Sequence, residues 1–326
     1  MSRLLLGVSP ECLAKVPYRG VFKYPPLVRA ESLHVNIHPK GLLRIAPCIA
    51  GQKVVGGDTV AAVLDTQFLK NKDINLLVDI GTNGEIVLGS KKVGFLTTSA
   101  AGPAFEGAEI LWGMRGIKGA IEKVFVENNR LNVSVIGETA PEGICGSGLV
   151  DAIAVMLKEG VLSKGSSLIK AEEATFLKED IRRRITDQGF VLSFPEENKL
   201  GEAIYISKND VRQMQLAKAG ILAAITLLKE TLGVKGKEIQ SVVLAGAFGS
   251  YIDKNSAITI GLFPKSVKAE QIKIAGNSAG LGARKLLFTE GVLEGEKNCQ
   301  KNKFLRYCNE KRLSRSFYEG NSISLK

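Results

Sequence analysis

Leu76-Leu77-Val78-Asp79-Ile80-Gly81-Thr82-Asn83-Gly84-Glu85-Ile86-Val87-Leu88 is the stretch that decides the fold. Two short apolar runs flank Gly81-Thr82-Asn83-Gly84, and an Asn-Gly between such runs is a strong hairpin signal. Val93–Thr98 reads as a third strand. A turn of Gly, Thr and Asn can aim successive backbone N–H groups at one spot, which suits phosphate oxygens. Asp79 stands at the end of its strand, where a carboxylate can hold Mg²⁺ directly or through water. An ordinary Asn-Gly hairpin fits the residues around Asp79–Glu85 equally well.

Working outward, Ala100-Ala101-Gly102-Pro103 opens a helix at Pro103, because proline suits the first helical position. Cys145-Gly146-Ser147-Gly148 leads into a helix over Leu149–Glu159, with Ser147 as N-cap and Gly160 as the stop. Residues 163–200, with Arg182-Arg183-Arg184, read as a polar, exposed insertion whose basic run is a solvated face. The clearest helix is Asp210–Leu232. Its Val211, Met214, Ala217, Ile221, Ile225, Leu228 and Leu232 recur at three- and four-residue spacing, and Gly233 ends it. Ile239–Leu244 is a buried strand that runs into Ala245-Gly246-Ala247-Phe248-Gly249. A last glycine-rich helix covers Ser278–Leu287. Strands alternating with helices make an α/β mixture.

Two further motifs carry possible chemistry. Small residues after the Ile239–Leu244 strand let a flat ring lie against bare backbone, although a tight turn after a strand is the commoner use of such glycines. Gly143-Ile144-Cys145-Gly146-Ser147-Gly148 enters a helix N-terminus, a ready anion site. The same place would depress the pKa of Cys145, but a small residue in a crowded turn is the simpler account. His34 and His38 have no metal-ligand partners at useful spacing and read as surface residues.

Composition limits the alternatives. The chain has 326 residues, 45% hydrophobic and 24% charged, an ordinary globular balance. Eight Lys or Arg against two Glu in residues 297–326 supply +6 of the net +11, so the basic excess is mostly a property of the tail. No aromatic and basic residues interleave as a base-stacking platform needs, so no nucleic-acid partner is expected. Cys12, Cys48, Cys145, Cys299 and Cys308 form no CxxC pair, which predicts neither a disulfide framework nor an iron–sulfur cluster in this chain. The apolar runs are too short for a signal peptide or a membrane span, so a cytoplasmic setting is expected.

Taken together the motifs resemble one family. A phosphate-type hairpin, a long helix, then a strand ending in Ala245-Gly246-Ala247-Phe248-Gly249 is the order of one lobe of the actin-like (ribonuclease H-like) ATPase fold, a mixed sheet flanked by helices. Leu77–Leu88, Ser99–Gly107, Gly113–Ile121, Gly143–Ala152, Ile206–Ala219, Val243–Asp253 and Ala275–Ala283 resemble signature stretches of the reductive activators of corrinoid proteins. Ala100-Ala101-Gly102-Pro103-Ala104-Phe105-Glu106-Gly107, Gly113-Met114-Arg115 and Ile144-Cys145-Gly146-Ser147-Gly148-Leu149 are the distinctive phrases. The resemblance runs from about residue 1 to about residue 288.

That resemblance implies ATP and Mg²⁺ as cofactors. It also implies a corrinoid protein or corrinoid methyltransferase as partner, its inactive Co(II) corrinoid reduced by electrons driven uphill at the expense of ATP. Asp79, Gly81, Thr82, Asn83, Gly84 and Glu85 would hold phosphate and metal. Gly246, Ala247, Phe248 and Gly249 would meet adenosine, and Gly102, Gly146, Ser147 and Gly148 would face the cleft. The family's ferredoxin-like domain and earlier Asp-Gly-Thr hairpin have no counterpart here. The expected organisation is therefore a remnant of the first lobe with only part of its fold (1–70) and a nucleotide-binding lobe (71–288) carrying an insertion near 113–205. A basic, non-matching, poorly ordered tail (289–326) follows. ATPase-type activation would then need a separate chain bearing the first lobe and the iron–sulfur domain. The same residues leave two other classes open: an acetate- or sugar-kinase-like phosphotransferase, and a non-catalytic module that docks on a corrinoid protein.

Overall fold

The computed structural model describes residues 2–9, 11, 27–45, 55–81, 83–99, 101–163 and 167–304; side chains of 2, 3, 247 and 298–304 are left aside. Along the chain come α1 (Ser2–Leu5), β1 (Val28–Arg29), β2 (Leu42–Leu43), α2 (Gly57–Thr66), β3 (Ile74–Ile80), β4 (Gly84–Gly89) and β5 (Gly94–Ser99). Next are β6 (Ala120–Glu127), β7 (Arg130–Val135), β8 (Gly143–Ile144), α3 (Gly146–Lys158), α4 (Glu179–Arg183), β9 (Phe190–Ser193) and β10 (Ile204–Ile206). The remainder is α5 (Lys208–Leu232), β11 (Ile239–Ala245), α6 (Gly246–Gly249), α7 (Lys254–Thr259), β12 (Ile272–Gly276), α8 (Ser278–Lys285), α9 (Thr289–Lys301) and β13 (Asn302–Phe304).

The main sheet has six strands in the order β12-β11-β3-β4-β5-β13. β12, β11 and β3 are parallel, and β3, β4 and β5 form an antiparallel meander. This is the mixed, helix-flanked sheet expected of an actin-like lobe.

Side-chain alternation sorts the sheet into two faces. Leu76, Val78, Ile80, Ile86 and Leu88 share one apolar core with Ile221, Ile225 and Leu228 of α5. Leu77, Val87, Leu96 and Val243 face the other way and pack with Val60, Ala62 and Val63 of α2. The long helix starts on a capping box: the Ser207 hydroxyl accepts from the Asp210 N–H at 3.1 Å, and the Ser207 N–H donates to Asp210 Oδ2 at 2.8 Å. Asp210 Oδ1 also accepts from the Leu111 N–H at 3.0 Å, which ties the helix start to a distant loop. Gly233 ends the helix in the left-handed conformation. On the opposite face α2 packs on α8, and Lys285 pairs with Asp65 at 2.8 Å.

Residues 113–205 contain a β7-β6-β8 sheet and the β9–β10 hairpin, and α3 shares the core of the main sheet. Four local readings differ from the structure. The segment at Pro103 is a single 3₁₀ turn, Pro103–Glu106, stopped by Gly107. The helix near Ser147 begins one turn earlier, with Cys145 as N-cap. Residues 163–200 are not simply exposed: Ile181, Phe190 and Leu192 are buried, and so is Arg184. Its guanidinium donates to Asp180 Oδ2 at 3.1 Å and to the Leu192 carbonyl at 3.1 Å, while Arg183 stays exposed. The Asp180 carboxyl is driven upward by burial, but the Leu131 N–H and the two arginines outweigh that and hold it below the usual range. Residues 289–304, read as the start of a disordered tail, form α9 and β13, with β13 parallel to β5. Cys12, Cys48, Cys308, Thr82 and Ala100 lie outside the described residues.

Candidate functional site

The carboxyl ends of β3, β11 and β12 lie side by side, and the chain breaks into small or acidic residues at each of them. In parallel sheets this edge is where ligands usually bind. Asp79 is the direct register partner of Glu85 on β4 and of Ala245 on β11. Both carboxylates have the parity of Leu77 and Val87, so they stand on the face covered by α2. The first turn of α2 carries a third acid, Asp58, whose Oδ1 accepts from the Thr59 N–H at 2.8 Å.

Burial and neighbouring charge show in the proton affinities of Asp79 and Glu85. Burial, reinforced by Asp58, raises Asp79 from the usual 3.8 to about 6. Burial, with Asp79 and then Asp58, raises Glu85 from 4.5 to about 8. An unfolded chain has lost the Glu85 proton above 4.5, whereas the folded chain holds it up to about 8, so stability falls as pH rises through that window. Asp79 acts in the same sense between 3.8 and about 6. The metal-free chain should therefore melt at a lower temperature at about pH 8 than at about pH 5. Glu85→Gln should flatten the difference, and a melting temperature that rises over this range would contradict the assignment.

The turn between the strands is closed by its own backbone: the Gly81 N–H donates to the Asn83 carbonyl at 3.1 Å. That donor is thus spent inside the turn and does not join a phosphate nest. Asn83 is exposed, and Gly84 is buried beside Ile221 and Ser99. Gly246 follows β11 with φ +90°, and a Cβ there would lie 2.4 Å from Asp79 Oδ1. Only glycine lets the β11 turn come this close to the carboxylate.

Two residues beyond Gly246, Phe248 meets Phe105 with ring centroids 5.0 Å apart. Together they wall a cavity of about 780 Å³ whose other sides include Gly107, Met114, Arg115 and Cys145. Gly146 and Ser147 also line it, and the Cys145 Sγ lies 3.3 Å from the Ser147 Oγ. Other predicted site residues serve packing. A Cβ on Gly148 would strike the Ile121 carbonyl, and Gly249 sits against Leu244. Gly102 has φ +75° and open space around it. Among the described residues no group of three or more His, Cys, Asp or Glu forms a ready metal cage. His34 and His38 are exposed.

Sequence reasoning missed Asp58 and the cavity walls Phe105, Met114 and Arg115. The signal for Asp58 was present: Gly56-Gly57-Asp58 precedes the apolar run Val60–Leu64, an acid in a helix's first turn.

A family model described as the C-terminal domain of RACo, the ASKHA domain, matches residues 73–323. The chain belongs to the RACo family. A second model, the RACo middle region, matches residues 1–71, which places Asp58 in the middle region and Asp79 in the ASKHA domain. The match to the ASKHA model runs through the basic segment beyond residue 288.

RACo relatives include the corrinoid activation enzyme RamQ of Eubacterium limosum, 39% identical over 293 residues, which are 89% of this chain and 49% of the relative. The Co(II) methylated amine-specific corrinoid protein reductase of Methanosarcina barkeri is 29% identical over 266 residues, 74% of this chain and 44% of that protein. The solved structure of a reductive activator for corrinoid, iron-sulfur protein superposes with a TM-score of 0.86 at 32% identity, covering 99% of this chain and 51% of that one. The chain thus spans about half the length of the RACo relatives it matches. Among the described residues no helix is long and apolar enough to cross a membrane.

Proposed function

We propose that this chain is the ATP-binding part of an ATP-dependent reductive activator of corrinoid proteins. The observation that carries this is the cross-strand pair Asp79–Glu85, with Gly246 pressed against Asp79 and Asp58 adding negative charge to the surroundings of both. Two carboxyls raised by burial and by neighbouring negative charge, Asp79 and Glu85, would be relieved by a cation, which supports a divalent ion there. The absence of a closed cage suits Mg²⁺, which usually takes one or two carboxylates and fills its shell with water and phosphate oxygens. When bound, Mg²⁺ would neutralise charge on the β- and γ-phosphates.

The residues divide the work by position. Asp79 holds the metal, directly or through water, and Glu85 sets the charge beside it. Gly81, Asn83 and Gly84 shape the turn that the phosphates approach, with Thr82 between them. Gly246 brings bare backbone next to Asp79, and Gly246–Gly249 lead from the phosphates toward the Phe105–Phe248 cavity. Phe105, Phe248 and Met114 give that cavity apolar, partly aromatic walls that a purine ring prefers, with the Arg115 guanidinium among them. Asp58, arriving from another part of the chain, is suited to orient an attacking water. The partner is a corrinoid protein.

The test is nucleotide titration with Mg²⁺. Asp79→Asn should weaken Mg-nucleotide binding about tenfold or more, in line with the loss of a charged partner. Folding should hardly suffer, because the variant removes a buried charge that its surroundings already disfavour. Equal affinity in variant and parent would mean the hairpin is merely structural.

A further inference from the structure

A second cleft of about 780 Å³ opens on another side of β6. Its walls are Lys123–Val126 of β6, the outer part of α3 from Asp151 to Glu159, the Ser250–Ser256 segment, and Ile274 of β12. It adjoins the Phe248 cavity only at Glu122 and Tyr251.

Asp151 lies at its base. The residue is 6% exposed, and its Oδ1 has no hydrogen-bond partner. Burial pushes its carboxyl above the ordinary range; hydrogen bonds from the Ser256 hydroxyl and the Val124 N–H oppose this, Asp253 reinforces it, and Lys123 opposes it. Since Oδ1 is bare, those hydrogen bonds fall on the other oxygen. A buried carboxyl oxygen without a donor is unfavourable, so it marks a place where a donor belongs.

The surroundings say what kind of donor. Phe125, Tyr251 and Ile274 are exposed at 41%, 73% and 41%, an apolar rim with two aromatic faces. Of the other charged groups, Glu159 is paired with Lys178 at 3.4 Å, and Asp253 caps α7 by accepting the Ser256 N–H at 2.8 Å. Glu122 lines the wall, and Lys123 and Lys158 are exposed at its edge. An apolar collar above an unfilled acid fits a cation on a hydrocarbon stem, which gains from both ring faces and carboxylate.

We propose that the cleft between β6, α3 and the Ser250–Ser256 segment binds a primary ammonium group on an apolar stem, seated with its N–H groups on Asp151. The ligand is either a free amine or a lysine side chain offered by a docking protein. The site is separate from the nucleotide reading and stands without it.

Calorimetric titration of the full chain tests this with phenethylammonium, its neutral counterpart 2-phenylethanol, and Nα-acetyl-lysine N-methylamide. At least one ammonium should bind about tenfold more tightly than the alcohol. Asp151→Asn should remove that preference, and Phe125→Ala should weaken the ammonium without abolishing it. If Asp151→Asn does not fold, chemical-shift changes in the parent should centre on Val124, Asp151 and Ser256 when the ammonium is added. Binding of the aryl amine alone identifies a free amine, and binding of the lysyl amide alone identifies a protein lysine. Ammonium and alcohol binding alike, shifts elsewhere in the chain, or an Asp151→Asn variant that retains the preference would overturn the proposal.

Discussion

ATP turnover by this chain alone should be at least ~10²–10³-fold slower than turnover after the family's first lobe is supplied as a second polypeptide. The estimate follows from what the site holds. The proposed contacts with phosphate and metal come from the Asp79–Glu85 hairpin, with the Gly246 backbone beside Asp79 and the charge of Asp58 felt by both acids. In actin-like ATPases a second hairpin closes from the other lobe, excluding water and fixing the γ-phosphate in line with its attacker. Half of such a clamp keeps weak nucleotide binding but not the reacting geometry. Steady-state phosphate release, measured with and without a polypeptide carrying the Asp-Gly-Thr hairpin, decides it. Brisk turnover that the second polypeptide leaves unchanged would show that the described site is sufficient.

Gly246→Ala should be strongly damaging beside Asp79. The new Cβ would lie 2.4 Å from Asp79 Oδ1 and 2.7 Å from the Ile80 carbonyl, on a backbone with φ +90°. A left-handed conformation costs an L-residue ~1–2 kcal/mol, and an overpacked core a further ~1–3 kcal/mol, so a loss of ~2–5 kcal/mol is expected. Asp79 is the atom group with freedom to move, so Mg-nucleotide affinity should fall with stability. Gly102→Ala makes the control: φ is +75°, but nothing lies within 4 Å of the added carbon. Urea denaturation should show the control losing only the conformational part. Equal losses in the two variants would remove the close contact from the explanation.

These two glycines also show how far sequence reading reaches. The β3–β4 hairpin, the α5 helix and the β11 strand were legible because each is local: an Asn-Gly turn, a repeat of three and four, an unbroken apolar run. Asp79 and Glu85 were legible with them, since a hairpin register makes them neighbours. Asp58 was not, because it meets them only after the chain reverses through α2 and returns along β3. The Phe105–Phe248 cavity was hidden for a similar reason, its walls coming from loops separated by more than a hundred residues. Arg184 was misjudged because a run of three arginines looks uniformly wet. One turn of helix turns Arg183 toward solvent and Arg184 toward Asp180 and the Leu192 carbonyl.

The short β13 strand bears on solubility. β5 would otherwise end the six-stranded sheet with a row of unpaired amides and carbonyls, and Asn302–Phe304 occupy that row. An open sheet edge recruits further strands, including those of other molecules. The three-residue β13 strand therefore acts as a selvedge, too short to template further growth of the sheet.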